Sequence, residues 1–269
     1  MERGKVIVEK VGGKSTVTKC FSKYPLKFII PRKVGSSETD AVWIYTITYG
    51  GGIVSVYKAV GSKSSEQVLE ARIGSNAFLA VIPDPVTCFS TAKYSQRQVF
   101  KVVSDSSLLL VDWITSGRHE RGEKWDFDLY KSTNHIFHNG DEPLFLDTIL
   151  LEQGTHAGIA ERMQDYQVIA MVILLGPKLK LIQNQIQEDV KKIMSQSLHM
   201  PTIGSRQYSN KHNDHCLTKP CFVASCSIFG PKGIGLVTRI AAMTTESVYN
   251  FLQHQLSSME PLLGVKPYS

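Results

Sequence analysis

The 269-residue sequence predicts a mainly β fold: one large antiparallel β domain spanning 1–269, with two helices late in the chain, about 184–198 and 245–259. Three observations predict it. In the first 175 residues, segments rich in Val, Ile, Tyr, Phe and Trp are separated by Gly-, Pro-, Asn-, Asp- and Ser-rich turns. Several segments alternate with period two, and no helical stretch lies between them to serve as a crossover. Stretches with helical spacing come only afterwards.

The strands read in order as KVIVEKV, VWIYTITY, NAFLAVIP, RQVFKVV, SLLLVDWIT and KWDFDLY. In VWIYTITY, Val42, Ile44, Thr46 and Thr48 face one way, and Trp43, Tyr45, Ile47 and Tyr49 the other. The turns between strands are GGKS, GSSETD, GSKSSE, PDPVT, SDS and HNGDEP. VIAMVILL, Val168 to Leu175, is the longest apolar run; it is too short to span a bilayer and reads as a buried strand. In the first helix, Ile186, Val190, Ile193, Met194 and Leu198 fall at helical spacing. The second opens on Thr244 or Thr245 as a cap, and Val248, Phe251, Leu252 and Leu256 form one stripe. Between the helices come a polar loop, SRQYSNKHNDHC, and short strands in CFVASCSIFG and GIGLVTRIAAM.

Composition narrows the function classes. A hydrophobic fraction of 42% and a charged fraction of 20% suit a soluble globular chain. The net charge is +6, and residues 1–33 carry nine Lys or Arg against two Glu. These cations are spaced along strands with no aromatic platform, which is the pattern of a solvated sheet face and not of a nucleic-acid site. Five cysteines and no apolar leader at the N-terminus predict reduced thiols and a cytoplasmic protein, with no membrane partner.

Catalytic patterns are weak. Gly13-Lys14-Ser15 lacks the earlier glycine of a phosphate loop and reads as a turn. No Gly-x-Ser-x-Gly elbow is present, and no nucleophile can be given a base. His135 and His138 lie three apart and need not converge, and Asp126 and Asp128 read as solvated acids on one strand face. His212, His215, Cys216, Cys221 and Cys226 offer soft metal ligands, but without a Cys-x-x-Cys pair. They read as a polar loop beside a strand with two small buried thiols; the alternative is a metal-dependent enzyme using His212, His215, Cys216 and Cys221. The most unusual piece is DWITSGRHERGEKW, where Trp113 and Trp125 flank Gly117, Arg118, Arg121, Gly122 and Glu123. Arginine beside carboxylate and tryptophan suits either a structural ion pair or a protein-binding surface.

Several long stretches, in order, resemble the plant form of the urease accessory protein D family, also called H. They are VGGKSTVTKCFSKYPLKFIIP, IPDPVTCFSTAKYSQ, LLLVDWITSGRHERGEKWDF, LFLDTILLE and RIAAMTTESVYNFLQHQL. The family's Gly-Arg…Gly-Glu signature falls on Gly117, Arg118, Gly122 and Glu123. The resemblance implies a non-enzymatic chaperone that binds apo-urease and accessory protein F, which recruits the GTPase G. Nickel is then delivered through an internal polar tunnel, in transit, with no tightly bound cofactor. Partner binding is expected at Gly117, Arg118, Gly122, Glu123, Trp113 and Trp125. Asp112, Glu123 and Asp147 are the expected oxygen ligands of a transient nickel path, since a conduit must also release its ion.

One stretch departs from the family. After Gly50, Gly51, Gly52, Ile53 and Val54, the family continues through a Gly-Asp pair and a Thr-containing segment; here Ser55 is followed directly by Val56, Tyr57 and Lys58. A few tens of residues are missing at Ser55/Val56, as alternative splicing or an error in the gene model would produce. The expected consequence is an unpaired strand edge, with impaired activity or an inactive isoform.

Overall fold

A computed structural model describes residues 4–24, 26–31, 42–48, 64–154, 157–198 and 219–268. The Gly50–Gly52 stretch, the Ser55/Val56 junction and the loop with His212, His215 and Cys216 lie outside the described residues.

The chain begins with a hairpin, β1 (Gly4–Val11) and β2 (Lys14–Ser22), turning at Gly12–Gly13, so Gly13-Lys14-Ser15 belongs to a turn and its strand. Then come β3 (Leu26–Ile29), β4 (Tyr45–Thr48), β5 (Ser64–Ile73), β6 (Phe78–Val81), β7 (Val86–Thr87), β8 (Lys93–Val102) and β9 (Ser107–Thr115). A second hairpin, β10 (Leu129–His138) and β11 (Glu142–Glu152), turns at Asn139–Gly140. After a short α1 (Ile159–Met163) follow β12 (Val168–Leu175), α2 (Lys180–Leu198), β13 (Phe222–Phe229), β14 (Gly235–Ala242), α3 (Thr245–Leu256) and a final turn, α4 (Glu260–Leu263).

The fold is mainly β with two late helices, as the periodicities require, but the strand directions differ from expectation. One six-stranded sheet has the order β11-β10-β8-β5-β1-β2, a second β13-β14-β12-β9-β6 with β7 also on β9, and β3 pairs with β4 separately. Both large sheets are mixed. β5, β8 and β10 are mutually parallel neighbours, and β1 joins β5 in parallel. β6 and β7 run parallel to β9. Parallel neighbours need a crossover. Here the facing sheet supplies it: the chain goes from β5 through β6 and β7 to β8, then through β9 to β10. The lack of crossover helices therefore did not imply hairpins.

The two sheets enclose one apolar core. Val6, Val8, Ala71, Ile73, Phe100 and Val102 of the first sheet meet Leu108, Leu110, Ile173 and Leu175 of the second. The second sheet's other face packs on the helices, with Leu109, Val111, Trp113, Val172 and Leu174 against Ile182, Ile186 and Val190 of α2 and Val248, Phe251, Leu252 and Leu256 of α3. β9 and β12 are thus covered on both faces, which is why they read as nearly unbroken apolar runs. The Thr244 cap holds: its hydroxyl accepts from the Ser247 N–H at 3.2 Å. No helix among the described residues is long and apolar enough to cross a membrane.

KWDFDLY is not one strand. Trp125 sits at φ 58° and the ladder starts only at Leu129, so Asp126 and Asp128 share no strand face. Trp125 and Phe127 plunge instead into a third apolar cluster with Val86, Tyr94, Ile114 and Tyr130.

Candidate functional site

A belt of polar side chains crosses the sandwich interior between the main core and that third cluster. β9 alternates Leu108, Leu110, Asp112 and Ile114 toward the first sheet. Asp112 is therefore a carboxylate on an otherwise apolar face, with only 4% of its surface exposed. A buried carboxylate survives only with partners. Parallel registry between β8 and β10 sets Gln96 beside Ser132, and β10's alternation puts Asn134 on the same side. Gln96 Nε2 donates to Asp112 Oδ1 at 2.7 Å and to Ser132 Oγ at 2.7 Å. Ser132 Oγ and Asn134 Nδ2 donate to Asp112 Oδ2 at 2.5 and 2.6 Å. Tyr94, stacked on Tyr130, donates its hydroxyl to Gln96 Oε1 at 3.1 Å.

The belt continues toward the β11 edge. Asn134 stands opposite Asp147 in the β10–β11 ladder. Asp147 Oδ1 accepts from Arg239 Nη2 of β14 at 2.7 Å, a bond that ties the two sheets together. The Asp147 side chain is 14% exposed and that of Arg239 49%, so Arg239 closes the belt toward solvent. Among the described residues, two buried oxygens in the belt, Asn134 Oδ1 and Asp147 Oδ2, have no hydrogen-bond partner. Burial pushes the Asp112 carboxyl up, opposed by the bonds from Ser132, Asn134 and Gln96; the charge of Asp147 adds to the rise.

The structure thus brings Asp112 and Asp147 to one site and leaves Glu123 elsewhere. Arg118 engages both Glu123 oxygens, with Nε at 2.9 Å from Oε2, and the pair holds the Glu123 carboxyl below its ordinary range. The carboxylate is taken, so Glu123 is not placed as a member of the belt. Arg118 also lies over the Phe89 ring at 4.1 Å. The loop between β9 and β10 is pinched at its base by the Trp125 N–H on Ser116 O at 2.6 Å, and Gly117 and Gly122 take φ of 140° and 76°. Trp113 and Trp125, expected as contact residues, lie in the apolar core. They are 1% and 0% exposed, and their indole N–H groups are spent on the Pro83 and Tyr166 carbonyls. Of the thiols expected to be buried, Cys221 is exposed, just ahead of β13, and Cys226 is half-buried within it. Among the described residues, no three His, Cys, Asp or Glu side chains gather as a metal-binding group.

Sequence reasoning missed Gln96, Ser132, Asn134 and Arg239. One signal was available: YSQRQVF alternates Tyr94, Gln96, Gln98 and Phe100 on one face, and polar residues on an inward face need partners.

These features define a mixed β-sandwich protein, backed by helices, whose internal site is made of oxygen donors and acceptors. The sequence profile of the UreD urease accessory protein family matches residues 55–269. The chain belongs to the UreD urease accessory protein family. It is 58% identical to urease accessory protein D of Arabidopsis thaliana over 100% of both chains. It is 54% identical to urease accessory protein D of Oryza sativa subsp. indica, covering 98% of this chain and 94% of the relative. Urease accessory protein UreD of Sorangium cellulosum is 28% identical over 99% of this chain and 83% of its own length.

Proposed function

We propose that this chain is a non-catalytic chaperone of urease maturation in the cytosol. It binds apo-urease together with urease accessory proteins F and G, and passes nickel as cargo along the polar belt. Family membership supports the maturation role. The observation that carries the nickel route is the pair of buried, unpartnered oxygens on Asn134 and Asp147, joined to Asp112 through the Asn134 amide. A buried acceptor without a donor costs about 1–3 kcal/mol. A surplus of acceptors in a closed belt suits the visit of a cation. Oxygen donors hold nickel less tightly than thiolate or imidazole, which suits an ion that must be released.

The test is co-expression with urease and accessory proteins F and G in a urease-deficient host. Asp147→Asn keeps the shape of the belt and removes a charge. It is expected to lower the nickel bound per urease about tenfold while co-purification with urease is unchanged. Nickel content equal to that of the unaltered chain would place the route elsewhere.

The same reading makes the Gly117–Glu123 loop a partner contact through Arg118 and Glu123, whose side chains reach the surface in part. Arg118→Ala is expected to weaken retention of the accessory proteins in a pull-down while moving the melting temperature little. Full retention with a lowered melting temperature would make the pair purely structural.

A further inference from the structure

Two arginine–carboxylate pairs in the structure are built differently. Arg118 engages both oxygens of Glu123, the fork-to-fork arrangement that fixes both partners. Arg239 and Asp147 share one bond, Nη2 to Oδ1 at 2.7 Å. The other oxygen, Asp147 Oδ2, is buried and has no hydrogen-bond partner among the described residues. Asn134 lies directly opposite Asp147 in the β10–β11 ladder, is 0% exposed, and presents a second unpartnered oxygen, Oδ1. The Arg239 guanidinium thus serves one oxygen of the belt and leaves two buried ones to a further positive partner.

The two ends of the pair also differ in what release would cost. The Asp147 side chain is 14% exposed and that of Arg239 49%. On letting go, Arg239 regains water, whereas Asp147 would be left a carboxylate in the belt without a counter-charge. An arriving cation removes that cost. The way out for the arginine is set by its neighbours across the ladders, which share its face of the sheet. On β12 the neighbour is Met171, 1% exposed; on β13 it is Ser225, small and exposed. β13 is the outermost strand of that sheet. Packed side chains block movement inward, and only a hydroxyl stands beside the path outward.

We propose that Arg239 is an exchangeable gate on the polar belt. Its guanidinium fills the cation place at Asp147 while no metal is there, swings over Ser225 toward solvent as a divalent cation arrives, and returns once the ion has passed. The proposal rests on the nickel route above and adds the group that admits the ion or refuses it. Guanidinium and metal compete for Asp147, so the resting belt holds a cation weakly. Exchange of one for the other leaves no step in which Asp147 lacks a positive partner.

The test titrates Mn²⁺, an oxygen-seeking divalent cation, into the purified full chain and follows the free ion by paramagnetic resonance. Arg239→Met removes the charge, Arg239→Gln removes the charge and keeps an N–H donor, and Arg239→Lys keeps the charge. Taking a positive charge away from the ion's place is expected to raise Mn²⁺ affinity about tenfold in the methionine and glutamine variants. The lysine variant is expected to stay close to the unaltered chain, and added Asp147→Asn to abolish the gain. The glutamine variant carries the test if the methionine variant does not fold. Neutral variants that bind Mn²⁺ no better than the unaltered chain, an equal gain in the lysine variant, or a gain that survives Asp147→Asn would each overturn the proposal. A purely structural ion pair would lower the urea midpoint of the neutral variants and leave Mn²⁺ affinity where it was. Mn²⁺ uptake reads the gate on the purified chain and nickel in urease reads the route, so either can fail with the other intact.

Discussion

Asp112→Ala is expected to destabilise the protein by about 3–5 kcal/mol, because each buried donor left without its acceptor costs about 1–3 kcal/mol. Gln96 Nε2, Ser132 Oγ and Asn134 Nδ2 all lose the acceptor they converge on, in a site where Asp112 is only 4% exposed. A typical domain has about 5–15 kcal/mol in total, so a large part of the stability goes. Urea unfolding checks this. Asp112→Asn is the informative partner. It keeps one acceptor oxygen, and its new amide can donate to Asn134 Oδ1, which is otherwise unpartnered, once the Asn134 amide turns over. That variant is expected to fold and to lose a pH dependence. Burial raises the Asp112 carboxyl in the folded state, so folding takes up a proton. The associated stability is fully present below the ordinary carboxylate pKa of about 3.9 and is lost as pH rises through the folded value. Asp112→Asn should flatten that slope. A slope unchanged in the asparagine variant, or an alanine variant as stable as the unaltered chain, would remove Asp112 from the centre of the belt.

Gly176→Ala is expected to cost about 4 kcal/mol or more, a size reserved for a few mechanisms such as overpacking and backbone strain. Gly176 joins β12 to the turn before α2 at φ 100°. A Cβ there would lie 2.1 Å from Ser106 O, 2.6 Å from Ser107 Oγ and 2.8 Å from Ser107 Cα. Ser106 leads into β9 and Ser107 opens it, and that strand is buried along its whole length and has no room to retreat. Gly122→Ala is the control. Gly122 also has a positive φ, 76°, but its Cβ would meet nothing within 4 Å, so only the conformational cost of about 1–2 kcal/mol remains. Soluble yield and the urea midpoint should rank the two variants widely apart. Equal effects would mean that the crowding at β9 relaxes.

Much of the local structure was legible because it depends on neighbours in sequence. β9 and β12 are bounded where their apolar runs end, and the Asn139–Gly140 turn and the Thr244 cap follow from turn and capping chemistry within a few residues. The site was legible only in outline. Asp112 and Asp147 were named through the family resemblance, but the groups that hold Asp112 lie 16, 20 and 22 residues away, and Arg239 lies 92 residues from Asp147. No periodicity links residues at those separations.

By itself, the sequence determined the mainly β character, the two helices with their buried stripes, and the family, since each rests on patterns of residue type along the chain. The mixed sheets, the burial of Trp113 and Trp125 in the core, and the single belt of Asp112, Asn134, Asp147 and Arg239 emerge from the three-dimensional fold alone. The physical reason is that strand order and direction are set by which apolar faces can be buried together. A chain that crosses repeatedly between two sheets brings distant residues into register without leaving a local trace of it.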